Sequence, residues 1–335
     1  MRSEQVRASA PGKIILFGEH AVVYGRPAIA APVTQVQATA TVQPAPPGAG
    51  FTIAAPDIGQ VFSFATKTST AAPDDPLAVA VQLVLADLSV EAPDATLTIR
   101  STIPIASGLG SGAAVATALV RALAAYLGRP LAPDQISALV YQVEKLHHGT
   151  PSGIDNTVIA YEQPIYFVRK PAKDPAGFPV GLIERLIVGA PLILVIGDTG
   201  LPSPTKQIVA QVRRTRERDP ARCDARLDQI GDVAVSARHA IEAGDVDTLG
   251  PLMDENHALL IELGVSSPKL NAVVEAARIA GAIGAKLSGA GHGGNMIALV
   301  QRQKDAADVI EALKETGAKN VICTTIQSTL PQVQK

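Results

Sequence analysis

Residues 104–114 read Pro104-Ile-Ala-Ser-Gly-Leu-Gly-Ser-Gly-Ala-Ala114, with Gly108, Gly110 and Gly112 set between a β-like run over 96–103 and an apolar run over 113–127. Glycine lets the backbone turn its N–H groups onto an anion, and a helix N-terminus behind the loop adds partial positive charge. The spacing therefore predicts either a phosphate cradle or a tight strand-to-helix turn, and the loop alone does not choose. Gly108, Gly110 and Ala113 also satisfy the loose dinucleotide pattern G-x-G-x-x-A, but Pro104 interrupts the strand entry that pattern needs.

Composition narrows the class of protein. A chain of 335 residues predicts about two domains, at roughly 100 to 200 residues each. With 47% hydrophobic residues it can bury real cores, and a formal charge of −2 argues against nucleic acid or an anionic membrane as partner. Cys223 and Cys323 form neither a disulfide framework nor a metal-ligand spacing, which fits a reducing compartment. The N-terminal residues lack the apolar core of a signal peptide. The longest apolar run, 186–196, is broken by Gly189 and Pro191 and falls short of a membrane span. These features predict a soluble protein of the cytoplasm.

Outward from the loop, patterning predicts strands over 14–17, 33–42, 51–64 and 96–103 and helices over 77–88, 113–127 and 134–146. The polar, proline-rich residues 167–179 read as a linker. Beyond it come a buried strand over 192–196, helices over 205–217, 222–243, 246–263 and 268–280, and a glycine-dense turn over 281–294. A strand over 295–300, a helix over 304–316 and a strand over 320–325 complete the pattern. Runs of strands followed by runs of helices predict an α+β chain rather than strict βαβ alternation.

Three further stretches carry polar groups suited to chemistry. Residues 11–25 place Lys13, Glu19 and His20 around a short apolar strand, so a cation, a carboxylate and an imidazole fall within eight positions. In residues 144–156, Glu144 and His148 share a helix face, Gly149 and Pro151 end that helix, and Asp155 and Asn156 are expected in an ordered loop. Glu144, His147 and His148 mimic part of a transition-metal site, but no second ligand group completes one. A carboxylate holding hydrated Mg²⁺ needs only one or two carboxylates plus phosphate oxygens. Residues 286–294, Lys286-Leu-Ser-Gly-Ala-Gly-His-Gly-Gly294, permit close approach of backbone to a ligand. Together the four stretches suggest phosphoryl transfer, with a cradle, a metal carboxylate, an Asp to orient or deprotonate a hydroxyl, and a Lys for developing charge.

At these residues the chain resembles the GHMP small-molecule kinases. The opening PGKIILFGEHAVVYG is similar to their first motif in its mevalonate kinase form, PIASGLGSGAA to the second and KLSGAGHGG to the third. The segment 144–156 resembles the signature of the same branch, a Glu followed by His-Gly, Pro-Ser-Gly and Asp-Asn, and DTGLPSPTK over 198–206 fits as well.

The resemblance implies a two-domain fold, with a ribosomal S5 domain 2-like part over 1–178 for ATP binding and catalysis and a ferredoxin-like α+β part over 179–335. It implies ATP-dependent phosphorylation of the C5 hydroxyl of mevalonate. Asp155 would act as base or positioning group, and Lys13 would steady the ionised aspartate and the transferring phosphoryl. Pro104, Ser107, Gly108, Leu109, Gly110, Ser111, Gly112 and Ala113 would line the phosphate cradle. Glu144 and Ser111 would hold Mg²⁺, and Glu19, His20, Thr205 and the Gly289, Ala290, Gly291 turn would face the acceptor. Family loops often carry a second serine where this chain has Gly112, which shifts the metal onto Glu144, Ser111 and water. Other readings kept open are a phosphomevalonate or mevalonate 3-kinase and a catalytically silent ligand sensor on the same fold. A homodimer is one assembly the sequence allows.

Overall fold

Residues 5–65, 68–69, 75–104, 107–148, 151–173 and 179–328 are described by the structure, a computed structural model. Strands β1 (Val6–Phe17), β2 (Pro27–Pro44), β3 (Phe51–Ala55), β4 (Gln60–Ala65) and β5 (Thr68–Ser69) come first. Helix α1 (Pro76–Leu88), strand β6 (Ala95–Ser101) and helices α2 (Ser111–Tyr126), α3 (Pro133–His148) and α4 (Ile154–Tyr161) follow. Next are β7 (Ile165–Lys173), β8 (Pro179–Arg185) and β9 (Leu192–Asp198). Helices α5 (Thr205–Arg218), α6 (Pro220–Ala243), α7 (Val246–Glu262) and α8 (Pro268–Ile279) lead to β10 (Gly284–Ser288), β11 (Asn295–Val300), α9 (Ala306–Glu315) and β12 (Asn320–Ile326). The mixed order is α+β, as the patterning predicts.

The chain divides into two compact units, one of residues 1–12, 33–104 and 110–162, the other of residues 13–32, 105–109 and 163–335. In the first, strands lie in the order β5-β4-β3-β6-β2, antiparallel except for β3 against β6. Phe51, Ile53 and Ala55 of β3 and Ala95, Leu97 and Ile99 of β6 alternate into the core, as period-2 strands with one buried face must. Helix α2 packs on β6 and on α1, α3 and α4. Its buried residues are mostly alanine, which lets those helices approach closely. Helix α1 starts where Asp75 accepts from the N–H groups of Leu77 and Ala78 ahead of Pro76, a cap with a proline in the first turn.

In the second unit, Pro27–Ala30 of β2 pair with β7, and β7 pairs with β8. A separate antiparallel sheet runs β10-β11-β9-β12. Helices α8 and α9 pack on that sheet, α7 on β10 and α6 on α7. The approach of α7 to β10 requires two glycines. A Cβ on Gly250 would stand 2.1 Å from the Ile283 carbonyl oxygen, and one on Gly284 2.3 Å from the Gly250 carbonyl oxygen. No helix among the described residues is long and apolar enough to cross a membrane.

Three elements differ from the patterning. The run 51–64 is not one strand but the β3–β4 hairpin, folded at Pro56–Ile58 and closed by Gly59 at φ 66°. The segment 167–179 is not a linker: its described residues end β7 and begin β8, paired Phe167 to Ile183 and Val168 to Leu182, while residues 174–178 lie outside the described residues. The β2–β7 pairing runs from Ile165 to Val168, and the register shift between Arg169 and Lys173 falls just beyond it. Asp155 and Asn156 lie not in a loop but in the first turn of α4, which Gly153 enters at φ 93°.

Candidate active site

In the first unit, Gly110 at φ 74° turns the chain into α2, so Ser111, Gly112 and Ala113 are its opening residues and their N–H groups lack intrahelical partners. Ser111 is half-buried and Gly112 exposed, whereas Ala113 is buried in the core. Pro104 is half-buried just before residues 105 and 106, which lie outside the described residues.

Glu144, near the end of α3, is only 4% exposed. A Cβ on Gly112 would lie 3.2 Å from its carboxylate oxygen. A side chain at 112 would crowd that carboxylate, so the glycine opens space at the start of α2 for Glu144. The carboxylate oxygens, set beside helix-N-terminal backbone, suit a hard divalent cation that keeps waters and takes phosphate oxygens. Among the described residues no cluster of three or more His, Cys, Asp or Glu side chains is gathered around one point. His147 and His148 close α3, but their side chains and residues 149 and 150 lie outside the description.

Asp155 is half-buried. The next residue holds its helix in place: Asn156, 1% exposed, donates to the Ser137 carbonyl at 3.0 Å and to Ser137 Oγ at 2.8 Å. Thr157 Oγ1 donates to the Gly153 carbonyl at 2.6 Å. Thr157 Oγ1 also lies 3.3 Å from Ser137 Oγ, so residues 156 and 157 join α4 to α3.

In the second unit, the glycine loop is anchored at alternate residues. Ser107 and Leu109 are buried while Gly108 is exposed at φ 86°. The Ser107 carbonyl accepts from Asn295 Nδ2 at 2.6 Å, and the Leu109 carbonyl accepts from the Lys13 backbone N–H at 2.9 Å. With these carbonyls turned onto protein donors, the loop is held in a form that leaves Gly108 open to a ligand. The Lys13 side chain is 4% exposed.

Glu19 and Lys286 are both fully buried and form an ion pair, with Asn256 Nδ2 donating to the other Glu19 oxygen at 3.2 Å. Burial raises the Glu19 carboxyl pKa and lowers that of the Lys286 ammonium, and their mutual attraction opposes both shifts. His20 is held at φ 61° with Nε2 2.8 Å from the Ala290 carbonyl oxygen. Because a carbonyl only accepts, the neutral ring carries its proton on Nε2 and keeps Nδ1 as an acceptor. The turn with Gly289, Ala290 and Gly291 is packed from outside: a Cβ on Gly291, at φ 93°, would stand 1.9 Å from the Val265 carbonyl oxygen. Ser203 Oγ donates to the Gly291 carbonyl at 2.8 Å, tying the tract before α5 to that turn. Thr205 is the first residue of α5 and is half-buried.

Burial pushes His20 down to about 4, and likewise His257, whose Nδ1 accepts from the Leu287 N–H at 3.3 Å. Both rings are neutral when folded and take a proton near 6.5 when unfolded, so their contribution to stability is complete above pH 6.5 and is lost as pH falls toward 4. Each shift corresponds to about 3 kcal/mol. We expect histidine ring nitrogen shifts to show both rings neutral at pH 5.5. A ring that titrates near 6.5 in the native protein would contradict this.

The models "GHMP kinases N terminal domain" and "GHMP kinases C terminal" match residues 76–163 and 237–319. A mevalonate kinase of Thermococcus gammatolerans is 40% identical over 91% of this chain and 92% of its own. The chain belongs to the mevalonate kinase family of GHMP kinases. It has the two-domain fold of that family and is a phosphotransferase, and its family uses ATP. The crystal structure of Leishmania major mevalonate kinase in complex with R-mevalonate matches with a TM-score of 0.82 at 29% identity, over 96% of both chains. A Streptococcus pneumoniae phosphomevalonate kinase reaches 0.79 at 18% identity, over 95% of this chain and all of that one, which shows the fold alone.

Sequence patterning assigns no role to Lys286, Asn256 or Asn295 in this GHMP kinase. A lysine inside the otherwise apolar strand GAKLS signals a buried charge that needs a partner. Asn256, on the buried side of α7, carries no such signal.

Proposed function

We propose that the protein transfers the γ-phosphoryl of ATP to the C5 hydroxyl of (R)-mevalonate, giving 5-phosphomevalonate for isoprenoid precursor synthesis. The near-full-length identity to mevalonate kinases carries this reading, since the fold is shared by kinases of other acceptors. The hydroxyl oxygen attacks the γ-phosphorus, the bond to the bridging oxygen breaks, ADP departs and the hydroxyl proton passes to Asp155. Lys13 offsets charge on the transferring group. Pro104 leads into the glycine loop, which with Ser107, Leu109, Ser111 and Ala113 holds the phosphates through backbone N–H groups and the start of α2. His20 accepts from an acceptor hydroxyl through Nδ1, with Glu19 behind it and Thr205 and the 289–291 turn closing the acceptor's surroundings.

Glu144 and Ser111 hold Mg²⁺, which neutralises phosphate charge when bound. Residues 1–178 serve ATP binding and catalysis, residues 179–335 form the ferredoxin-like part, and the reaction takes place in the cytoplasm. The deciding experiment is a coupled ADP-release assay on an acceptor panel of mevalonate, phosphomevalonate and other small alcohols. Turnover with another alcohol and none with mevalonate would overturn the substrate. In the same assay, Glu144→Gln is expected to raise the Mg²⁺ needed for half-maximal turnover by about tenfold or more. An unchanged Mg²⁺ dependence would remove Glu144 from the metal.

A further inference from the structure

We infer that Lys286 is a positioning residue for the acceptor: its buried ammonium anchors Glu19 and thereby fixes the Gly18–His20 turn that presents the His20 imidazole. His20 has φ 61° and ψ −43° at the centre of a tight turn closed by the Ala21 N–H on the Glu19 carbonyl at 2.7 Å, a conformation non-glycine residues enter only when their surroundings hold them. Gly18 before it is at φ 89°, and a Cβ there would lie 2.3 Å from the Pro27 carbonyl oxygen. The turn is tight and needs anchors.

Those anchors come from one short segment. Lys286 binds Glu19, Ser288 Oγ accepts from the Ile15 N–H at 3.1 Å and donates to the Ile15 carbonyl at 2.8 Å, and the Ala290 carbonyl receives His20. Lys286 is itself fixed, paired opposite Ile297 in the β10–β11 ladder, with Nζ also donating to its neighbour Leu287's carbonyl at 2.8 Å.

A buried ion pair is weak evidence for stability, because desolvating two charges offsets their attraction and apolar residues of similar volume often do as well. What the pair supplies is a unique geometry: the Glu19 carboxylate has one place between Lys286 and Asn256, and the residue that follows it is His20. The kinetic consequence rests on the reading of His20 as an acceptor contact; the structural one does not.

The test uses two full-length variants, Lys286→Met and Lys286→Met/Glu19→Gln, the second of which leaves no unpaired buried charge if the first fails to fold. Expected in the folded variant is a rise of about tenfold in KM for mevalonate, with KM for ATP within about twofold of wild type. Histidine ring shifts should also show His20 titrating nearer 6.5 than in the wild-type protein. A purely structural role would lower the folded fraction and move neither quantity. Wild-type acceptor KM with wild-type His20 titration in either folded variant overturns the inference. Should the wild-type protein itself not phosphorylate mevalonate, the kinase reading fails separately and the His20 titration alone decides this one.

Discussion

Asp155→Asn is expected to lower kcat by about 10² to 10⁴-fold while nucleotide binding stays close to wild type. The substitution keeps the volume of the side chain and removes its charge and its capacity to take a proton. Asn156 and Thr157 fasten α4 to Ser137 of α3, so the helix has anchors next to residue 155. Single-turnover rates, ATP affinity and thermal midpoint, measured together, separate chemistry from folding. A variant with kcat within a few-fold of wild type would take the base role from Asp155.

The parts of the fold legible in the sequence are those with local chemical signals. Apolar spacing finds α1, α6 and α8, while Asp75, Asp219 and Ser267, each capping ahead of a proline, set starts that lie earlier than the spacing reads for α1 and α6. The glycine loop was legible for the same reason, since Gly108 and Gly110 take positive φ where the chain must turn. Helix α4 was hidden: it has eight residues and no side-chain cap, so nothing local separates it from a loop. The β7–β8 hairpin was hidden because proline and lysine suit an edge strand as well as a linker. At the site, residue types and their order were readable, but pairings were not. Glu19 and Lys286 stand 267 positions apart, and the space Gly112 leaves for Glu144 exists only once α2 packs on α3. A departure from the family's serine at 112 thus becomes intelligible only in three dimensions.

Lys13→Met is expected to lower turnover by about 10² to 10³-fold, the scale of losing one preorganised donor to developing charge, with ATP affinity changed by only a few-fold. The backbone argument is specific to this position. The Lys13 N–H is already given to the Leu109 carbonyl, so the strand and the glycine loop stay joined whatever side chain stands there. The side chain is almost wholly buried, and methionine matches its length and shape while removing the ammonium. The expected result is a fall in kcat, with the thermal midpoint measured beside it to separate chemistry from folding. Arginine should not rescue it, because a planar guanidinium needs more room than a compact ammonium and presents its donors in a fixed fork. A loss confined to ATP binding, with kcat intact at saturating nucleotide, would move Lys13 from phosphoryl transfer to ground-state binding. Turnover restored in Lys13→Arg would mean that charge alone suffices, without the point geometry that transfer to a positioned hydroxyl demands.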